Sequence, residues 1–262
     1  MVTIQRSGEP NPVQAVKLSD QVTRALARRI VNGEIGEASP PPTEQDICRE
    51  FGVSKTTARE VVRALSGLGL VEVRHGRRMR LRPVGEWNHL DPLLLELNDD
   101  PDVVRRYLAD LHDVRMLLEP EIAARAALRA SKAQVTRMRA IVRRMGKLVN
   151  DPDTYLEVDL AFHRELAAAT DNVVLGFMLD SVRELLRVSR RVTNMTGALA
   201  EATQAHQQIL DAVAAGEAET ARQAMRVHLL TVTSIWAPGE QRAELTAAIG
   251  RGKERETEAV NV

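Results

Sequence analysis

The sequence predicts a mainly α-helical protein with one short β hairpin in its first third. Aromatic residues make up only 3% of the 262 residues and hydrophobic residues 44%, so the core must be aliphatic and rich in helix-forming residues. Apolar residues recur at helical spacing along most of the chain. Apolar and basic residues alternate in "LVEVRHGRRMRLR", from Leu70 to Arg82, which is typical of two strands.

The first predicted helix follows a polar segment, residues 1–17, which we expect to be a flexible arm. Ser19 is a good N-cap, and the apolar positions from there to Asn32 fall on one face. Gly33 is expected to end this helix, and the prolines of "ASPPPTEQ" exclude helix immediately afterwards.

A pair of short helices comes next. Thr43 is a good N-cap with Asp46 at the third helical position, and Gly52 ends this helix. Ser54 then caps a second helix, "KTTAREVVRALSGL", which turns near Gly67. Two short helices joined by a tight glycine-containing turn form a helix-turn-helix.

The alternating segment predicts a basic hairpin that turns at His75 and Gly76. Its apolar residues are expected on one face and its arginines on the other; these are Val71, Val73, Met79 and Leu81, and Arg78, Arg80 and Arg82. Three helices and such a hairpin make a winged helix, which we place at residues 18–83.

The rest of the chain predicts an all-α bundle of six to seven helices within residues 93–237, after a linker at 84–92. Breaks containing Asn, Gly or Pro separate the helices. The predicted helices span roughly residues 91–98, 101–130, 132–149, 152–169, 172–196, 199–215 and 217–235. The charged end, residues 238–262, is predicted to be a disordered tail.

The charge and the cysteine content limit which partners and which cellular compartment we expect for this protein. The formal net charge is zero, yet residues 1–85 contain 14 basic and 9 acidic residues, an excess that suggests an anionic partner. Cys48 is the only cysteine, which fits a reducing compartment. We find no signal peptide and no segment near the ~18 apolar residues of a membrane helix, and so expect a cytoplasmic protein without membrane contact.

The helix-turn-helix and its wing present side chains suited to DNA. The N-terminal residues of the second helix of such a fold meet base edges in the major groove. The alternative is a solvated basic face on a small helical domain. The candidate DNA-contacting residues are Gln45, Ser54, Lys55, Thr56, Thr57 and Arg59 on the helices, and Arg74, His75, Gly76 and Arg77 in the wing.

Four residues of the bundle have the spacing of a metal site. Asp159 and His163 lie four apart on one helical face, where a carboxylate and an imidazole can hold one ion. His206 and His228 lie on two later helices that should turn near Gly216, which places both about 16 Å from the turn at ~1.5 Å per residue. The four side chains can therefore meet. Ordinary surface or hydrogen-bonded histidines are the alternative.

The stretch "PPTEQDICREFGVSKTTAREVVRALSGLGLVEVRHG" resembles the GntR family of bacterial transcription regulators, over about residues 19–83. Lys55 stands where arginine is usual, and the wing lacks the second glycine of many members, so its groove contact is expected to be more electrostatic. The resemblance implies DNA contacts by Gln45, Ser54, Lys55, Thr56, Arg59, His75 and Gly76.

The bundle resembles the C-terminal ligand-binding domain of the FadR-type branch of that family. This resemblance implies a divalent metal, with zinc preferred and nickel or manganese also acceptable, at Asp159, His163, His206 and His228. It also implies that Arg115 clamps a ligand carboxylate, which suits a guanidinium. A surface salt bridge between Arg115 and Glu119 is the alternative. The linker "EWNHLDP" resembles members that respond to sugar acids.

The leading hypothesis is a ligand-responsive repressor of a catabolic operon. It would be a homodimer on palindromic double-stranded operator DNA, with the bundle holding a small carboxylate such as a sugar acid. One alternative is a metalloenzyme that uses the aspartate and the three histidines. Others are a DNA-binding protein with a purely structural metal, and an acyl-CoA sensor, which is disfavoured because its pocket should be apolar.

Overall fold

A computed structural model describes residues 17–36, 40–73, 79–193 and 199–233. Ten α-helices and a two-stranded antiparallel sheet lie in these ranges, so the mainly helical prediction is confirmed. The described residues divide into two compact units, one within residues 1–89 and 97–99 and the other within residues 90–96 and 100–262. The predicted tail and all but the last residue of the predicted arm lie outside the described ranges.

The first unit is the predicted winged helix. Its strands pair antiparallel, with Val71 opposite Leu81 and Glu72 opposite Arg80. The buried face of its helices is aliphatic and includes Leu26, Ile47 and Val61. The elements are α1 (Leu18–Val31), α2 (Glu44–Phe51), α3 (Lys55–Gly67), β1 (Val71–Glu72) and β2 (Arg80–Leu81).

Two of the three predicted helix caps are confirmed. The Thr43 hydroxyl accepts from the Asp46 N–H while the Asp46 carboxylate accepts from the Thr43 N–H, a complete capping box. The Ser54 hydroxyl accepts from the Thr57 N–H. The Ser19 cap is wrong, because the Lys17 carbonyl already accepts from residues 20 and 21 and α1 therefore begins one residue earlier.

The face predicted for Val73 is also wrong. Val71 is 1% exposed and packs into the core, whereas Val73 is 48% exposed. The strands pair over only two residues each, so Val73 lies beyond the last paired residue, Glu72.

Gly69 allows two stretches of backbone to cross at the end of α3. Its φ is +74°, and a Cβ placed there would lie 2.8 Å from the Glu86 carbonyl oxygen and 3.0 Å from the Asn88 nitrogen. The Asn88 N–H donates to the Leu68 carbonyl at 2.9 Å, which holds the second stretch in place. A side chain at position 69 therefore meets backbone that cannot move away easily.

The described residues of the second unit form the remaining seven helices around an aliphatic core. Within it, α5 contacts α7, α8, α9 and α10, and Gly216, with φ of +78°, lies in the turn between α9 and α10. None of the described helices has the length and apolar content needed to cross a membrane. The helices are α4 (Pro92–Glu96), α5 (Pro101–Arg129), α6 (Lys132–Met145), α7 (Pro152–Ala169), α8 (Val173–Thr193), α9 (Leu199–Ala215) and α10 (Ala218–Thr233).

Replacing Gly69 with alanine should destabilise the winged helix by at least about 1–2 kcal/mol, the usual penalty for a left-handed backbone with a side chain. The collision with Glu86 and Asn88 adds to that penalty. Thermal unfolding followed by circular dichroism measures the effect. Gly67→Ala is the matched control, because no atom lies within 4 Å of its added Cβ. Equal melting temperatures for wild type and Gly69→Ala would contradict the prediction.

Candidate metal centre and DNA-binding surface

Three helices of the bundle bring four potential metal ligands together. Asp159 and His163 lie on α7, His206 lies on α9 and His228 lies on α10. One ligand atom from each lies within 4.8 Å of the other three, and all four residues are buried. The arrangement can surround a single cation.

The distances inside this cluster are short. Nε2 of His206 lies 3.1 Å from Oδ1 of Asp159 and 3.3 Å from Nε2 of His163. Nε2 of His163 lies 4.0 Å from the same aspartate oxygen. The rings of His206 and His228 have centroids 4.3 Å apart, so the α9–α10 hairpin places them at the same height.

The orientation of His206 is held from behind by the backbone. Its Nδ1 lies 2.6 Å from the carbonyl oxygen of Ala202, one turn earlier in α9. A carbonyl oxygen only accepts hydrogen bonds, so Nδ1 carries the hydrogen and Nε2 directs its lone pair at the cluster. The ring of Phe162 packs edge-on against His206, with centroids 5.0 Å apart, and helps to fix its plane.

Burial favours the neutral form of two of these imidazoles. It lowers the pKa of His206, although Asp159 opposes the shift. The pKa of His228 is lowered well below its ordinary value by burial and by the neighbouring His206 and His163. Neutral imidazoles are the form that binds metal ions.

The donor set fits a divalent cation. Nε2 of His228 is buried and has no hydrogen-bond partner among the described residues. A buried polar atom without a partner is unfavourable, and a metal ion would satisfy it. Three imidazoles and one carboxylate suit zinc, nickel or manganese.

A buried ion pair adjoins the cluster on α5. Nε of Arg115 lies 2.6 Å from Oε1 of Glu119, and the two residues are 4% and 1% exposed. The salt bridge that was considered as the alternative therefore exists, but the pair is buried and does not lie on the surface. The i,i+4 spacing pairs the two charges, and the inward face of α5 buries them.

Glu119 also reaches α7, a contact that the sequence reasoning missed. Its Oε2 lies 2.7 Å from Nδ1 of His163. Burial opposes ionisation of Glu119, but Arg115 and His163 outweigh it and hold the pKa of this carboxyl well below its ordinary range. In the sequence, the i,i+4 spacing links Glu119 to Arg115, but it does not reveal a partner of Glu119 on another helix.

Arg115 retains an unused hydrogen-bond donor. Its Nη2 is buried and has no hydrogen-bond partner among the described residues. Burial, followed by the charge of Arg115, lowers the pKa of nearby His112 to about 4, so that ring is neutral near pH 7. A cationic donor without an acceptor in a buried place is suited to a ligand carboxylate.

The helix-turn-helix presents an exposed polar surface, formed by the start of α3 and by Gln45 of α2. Gln45, Ser54, Lys55, Thr56 and Arg59 are all exposed. Ser54 serves as the helix cap, and Nε of Arg59 lies 3.4 Å from Oε2 of Glu44. An exposed pair of this kind is weak and can yield to a phosphate. The other predicted contacts, Arg74, His75, Gly76 and Arg77, lie outside the described residues.

Comparison with known proteins assigns both parts of the chain. Residues 18–81 match the family described as bacterial regulatory proteins, gntR family, and residues 110–231 match the FCD domain. The HTH-type transcriptional regulator LutR of Bacillus subtilis (strain 168) is 31% identical over 213 residues, covering 79% of this chain and 95% of LutR. This chain belongs to the GntR family.

Other members of the GntR family show similar identities. The galactonate operon transcriptional repressor of Escherichia coli (strain K12) is 28% identical over 208 residues, covering 79% of this chain and 91% of that protein. The Glc operon transcriptional activator of the same strain is 30% identical over 225 residues, covering 82% and 87%. These relatives are regulators, so the metalloenzyme alternative is set aside.

A solved structure shares the fold of this GntR-family chain. Lar, which controls the expression of the Listeria monocytogenes agr system, matches with a TM-score of 0.61 at 18% identity. The match covers 85% of this chain and 98% of Lar. It supports the architecture of a winged helix followed by a helical domain.

Proposed function

We propose that this GntR-family regulator senses a small carboxylate at a metal site and changes its affinity for operator DNA in response. One observation carries the proposal. Four buried ligand atoms converge within 4.8 Å, and the adjoining Arg115 has a buried Nη2 without a partner among the described residues.

The side chains Asp159, His163, His206 and His228 would hold the metal, with zinc as the first choice. A bound divalent ion would supply a positive centre for an oxygen of the ligand. The Ala202 carbonyl would keep Nε2 of His206 directed at the ion. Arg115 would bind the ligand carboxylate and set its orientation.

A sugar acid is the ligand class that fits best. Such a molecule has one carboxylate for Arg115 and hydroxyl oxygens that a hard or borderline metal accepts. A relative named for the galactonate operon supports this class.

The protein would act as a homodimer in the cytoplasm, with one winged helix from each copy binding DNA. Lys55, Thr56 and Arg59 on α3 would enter the major groove, and a second copy would occupy the other half of a palindromic operator. The ligand would alter DNA affinity by a coupling energy of ~1–3 kcal/mol. We propose repression of a catabolic operon as the outcome.

A purely structural metal is the second candidate. Four protein ligands complete a tetrahedral zinc site and leave no position for a sugar acid. In that case the protein would bind DNA irrespective of any acid. The ligand experiment described below separates the two candidates.

Zinc added to the metal-free protein should raise its melting temperature, because a ligand that binds only the folded state stabilises it. The gain is about 2.7 kcal/mol at a hundredfold excess over Kd. His206→Ala should lose the effect and the metal, whereas His112→Ala should keep both. Elemental analysis of the purified proteins provides a second readout. Full metal content in His206→Ala would contradict the site.

Galactonate or gluconate should raise the melting temperature further, but only in the metal-loaded protein. Galactose, which lacks the carboxylate, is the control ligand. Arg115→Lys keeps the charge opposite Glu119 but loses the planar fork, so acid affinity should fall by at least about tenfold. An acid-independent melting temperature together with full zinc content would favour the structural metal.

Arg59→Ala should weaken binding to an operator duplex selected in vitro. The slope of log affinity against log salt concentration should also become shallower by about the amount expected for one lost phosphate contact. Arg137→Ala, an exposed arginine of the bundle, is the matched control and should bind as wild type does. Fluorescence anisotropy at several salt concentrations measures both effects. An unchanged affinity in Arg59→Ala would exclude α3 as the recognition helix in the form proposed.

A further inference from the structure

We propose that Glu119 is a positioning residue shared by the metal ligand His163 and the carboxylate-binding Arg115. Through it, the metal and the acid would each favour the binding of the other. This inference rests on the metal site proposed above, and it concerns a residue that is not itself one of the four ligands.

The two oxygens of Glu119 serve two different partners. Oε1 lies 2.6 Å from Nε of Arg115, on the same helix, and Oε2 lies 2.7 Å from Nδ1 of His163, on α7. The opposite side of the His163 ring faces the cluster, with Nε2 3.3 Å from Nε2 of His206. Glu119 therefore holds this imidazole from behind.

This contact decides which nitrogen of His163 is available to a metal. Nδ1 of His163 and Oε2 of Glu119 lie 2.7 Å apart, although without the alignment of a hydrogen bond. An ionised carboxylate only accepts hydrogen bonds, so we place the hydrogen of His163 on Nδ1, the nitrogen that faces Glu119. Nε2 then presents its lone pair to the cluster. His206 is arranged in the same way, with the Ala202 carbonyl in the role of Glu119. Such partners fix both the tautomer and the ring plane of metal-binding histidines.

The same division of oxygens leaves a donor for the acid. A carboxylate that served Arg115 alone would take two parallel hydrogen bonds from its fork. Here the second oxygen contacts His163, and Nη2 of Arg115 has no hydrogen-bond partner among the described residues. Glu119 thus orients Arg115 by one hydrogen bond and leaves Nη2 for the ligand carboxylate.

Coupling between the two sites follows from this shared contact. A metal held by Nε2 would polarise the His163 ring and would favour a hydrogen bond from Nδ1 to Glu119. A firmly held Glu119 in turn keeps Arg115 in the orientation that receives the acid. Glu119 is 1% exposed, so water is poorly placed to replace either contact.

Glutamine at this position tests the sharing, because its side chain has one acceptor oxygen for two donors. Glu119→Gln should bind Co²⁺ about 10–100-fold more weakly than wild type, measured by the visible absorption of the bound ion and by competition with a chelator. Glu121→Gln is the matched control. It lies on the same helix and pairs with Arg125 and Arg222 away from the cluster, and its Co²⁺ affinity should not change.

A double variant distinguishes loss of the shared Glu119 contacts from a general disruption of the site. In Glu119→Gln with Arg115→Met, the single oxygen is free to accept from His163 alone, so Co²⁺ affinity should recover by at least about tenfold over Glu119→Gln. No recovery, or a Glu119→Gln variant that binds Co²⁺ like wild type, would overturn the inference while leaving the metal site in place. Failure of wild type to bind Co²⁺ would overturn the metal site and this inference together.

Wild-type protein provides a test that does not depend on any Glu119 variant folding. In zinc-loaded protein labelled with ¹⁵N-histidine, His163 should show a low-field, slowly exchanging Nδ1–H signal, assigned by its loss in His163→Asn. Its presence supports the contact with Glu119. A His163 ring with its hydrogen elsewhere would refute it.

Discussion

The bundle depends on keeping a charged network inside an aliphatic core. Removing an arginine and two carboxylates from water is unfavourable by several kcal/mol for each ion, and only close partners offset that penalty. Arg115 and Glu119 offset part of it for each other, and His163 contacts the remaining oxygen of Glu119. The placement of α5 against α7, α9 and α10 is what makes these contacts available.

In the same network, the protein's described side chains do not satisfy every buried polar atom. His228 and Arg115 each keep one buried polar atom without a hydrogen-bond partner among the described residues. A core selected only for stability would contain leucine or methionine at such positions. The buried nitrogen of His228 suits a cation, and the buried donor of Arg115 suits an anion. A carboxylate bound to a metal ion would supply both.

The winged helix is stabilised in a different way, without a buried charged network among its described residues. Its described interior is aliphatic, and its polar residues act at helix ends and on the surface. A DNA-binding face must stay exposed, so its side chains need a rigid support rather than buried partners. The caps at Thr43 and Ser54 and the backbone crossing at Gly69 supply that support.

Local features of this protein could be predicted from the sequence alone. The caps at Thr43 and Ser54, the helix-turn-helix and the equal height of His206 and His228 depend on spacing along one or two adjacent helices. The set of four candidate ligands followed from such spacing, whereas the family resemblance rested on the motif residues 41–76. Most predicted helices agree with the structure within a few residues, although α6 ends at Met145 and not near residue 149.

Only the tertiary structure decided the contacts between helices that are distant in sequence. Periodicity identifies the inward face of α5, but it does not say which helix that face meets, and so the contact between Glu119 and His163 remained hidden. It also could not place the pair of Arg115 and Glu119 in the interior rather than at the surface. The start of α1 at Leu18 and the exposure of Val73 followed from backbone pairing, which outweighed the local preferences of Ser19 and of the alternating strand.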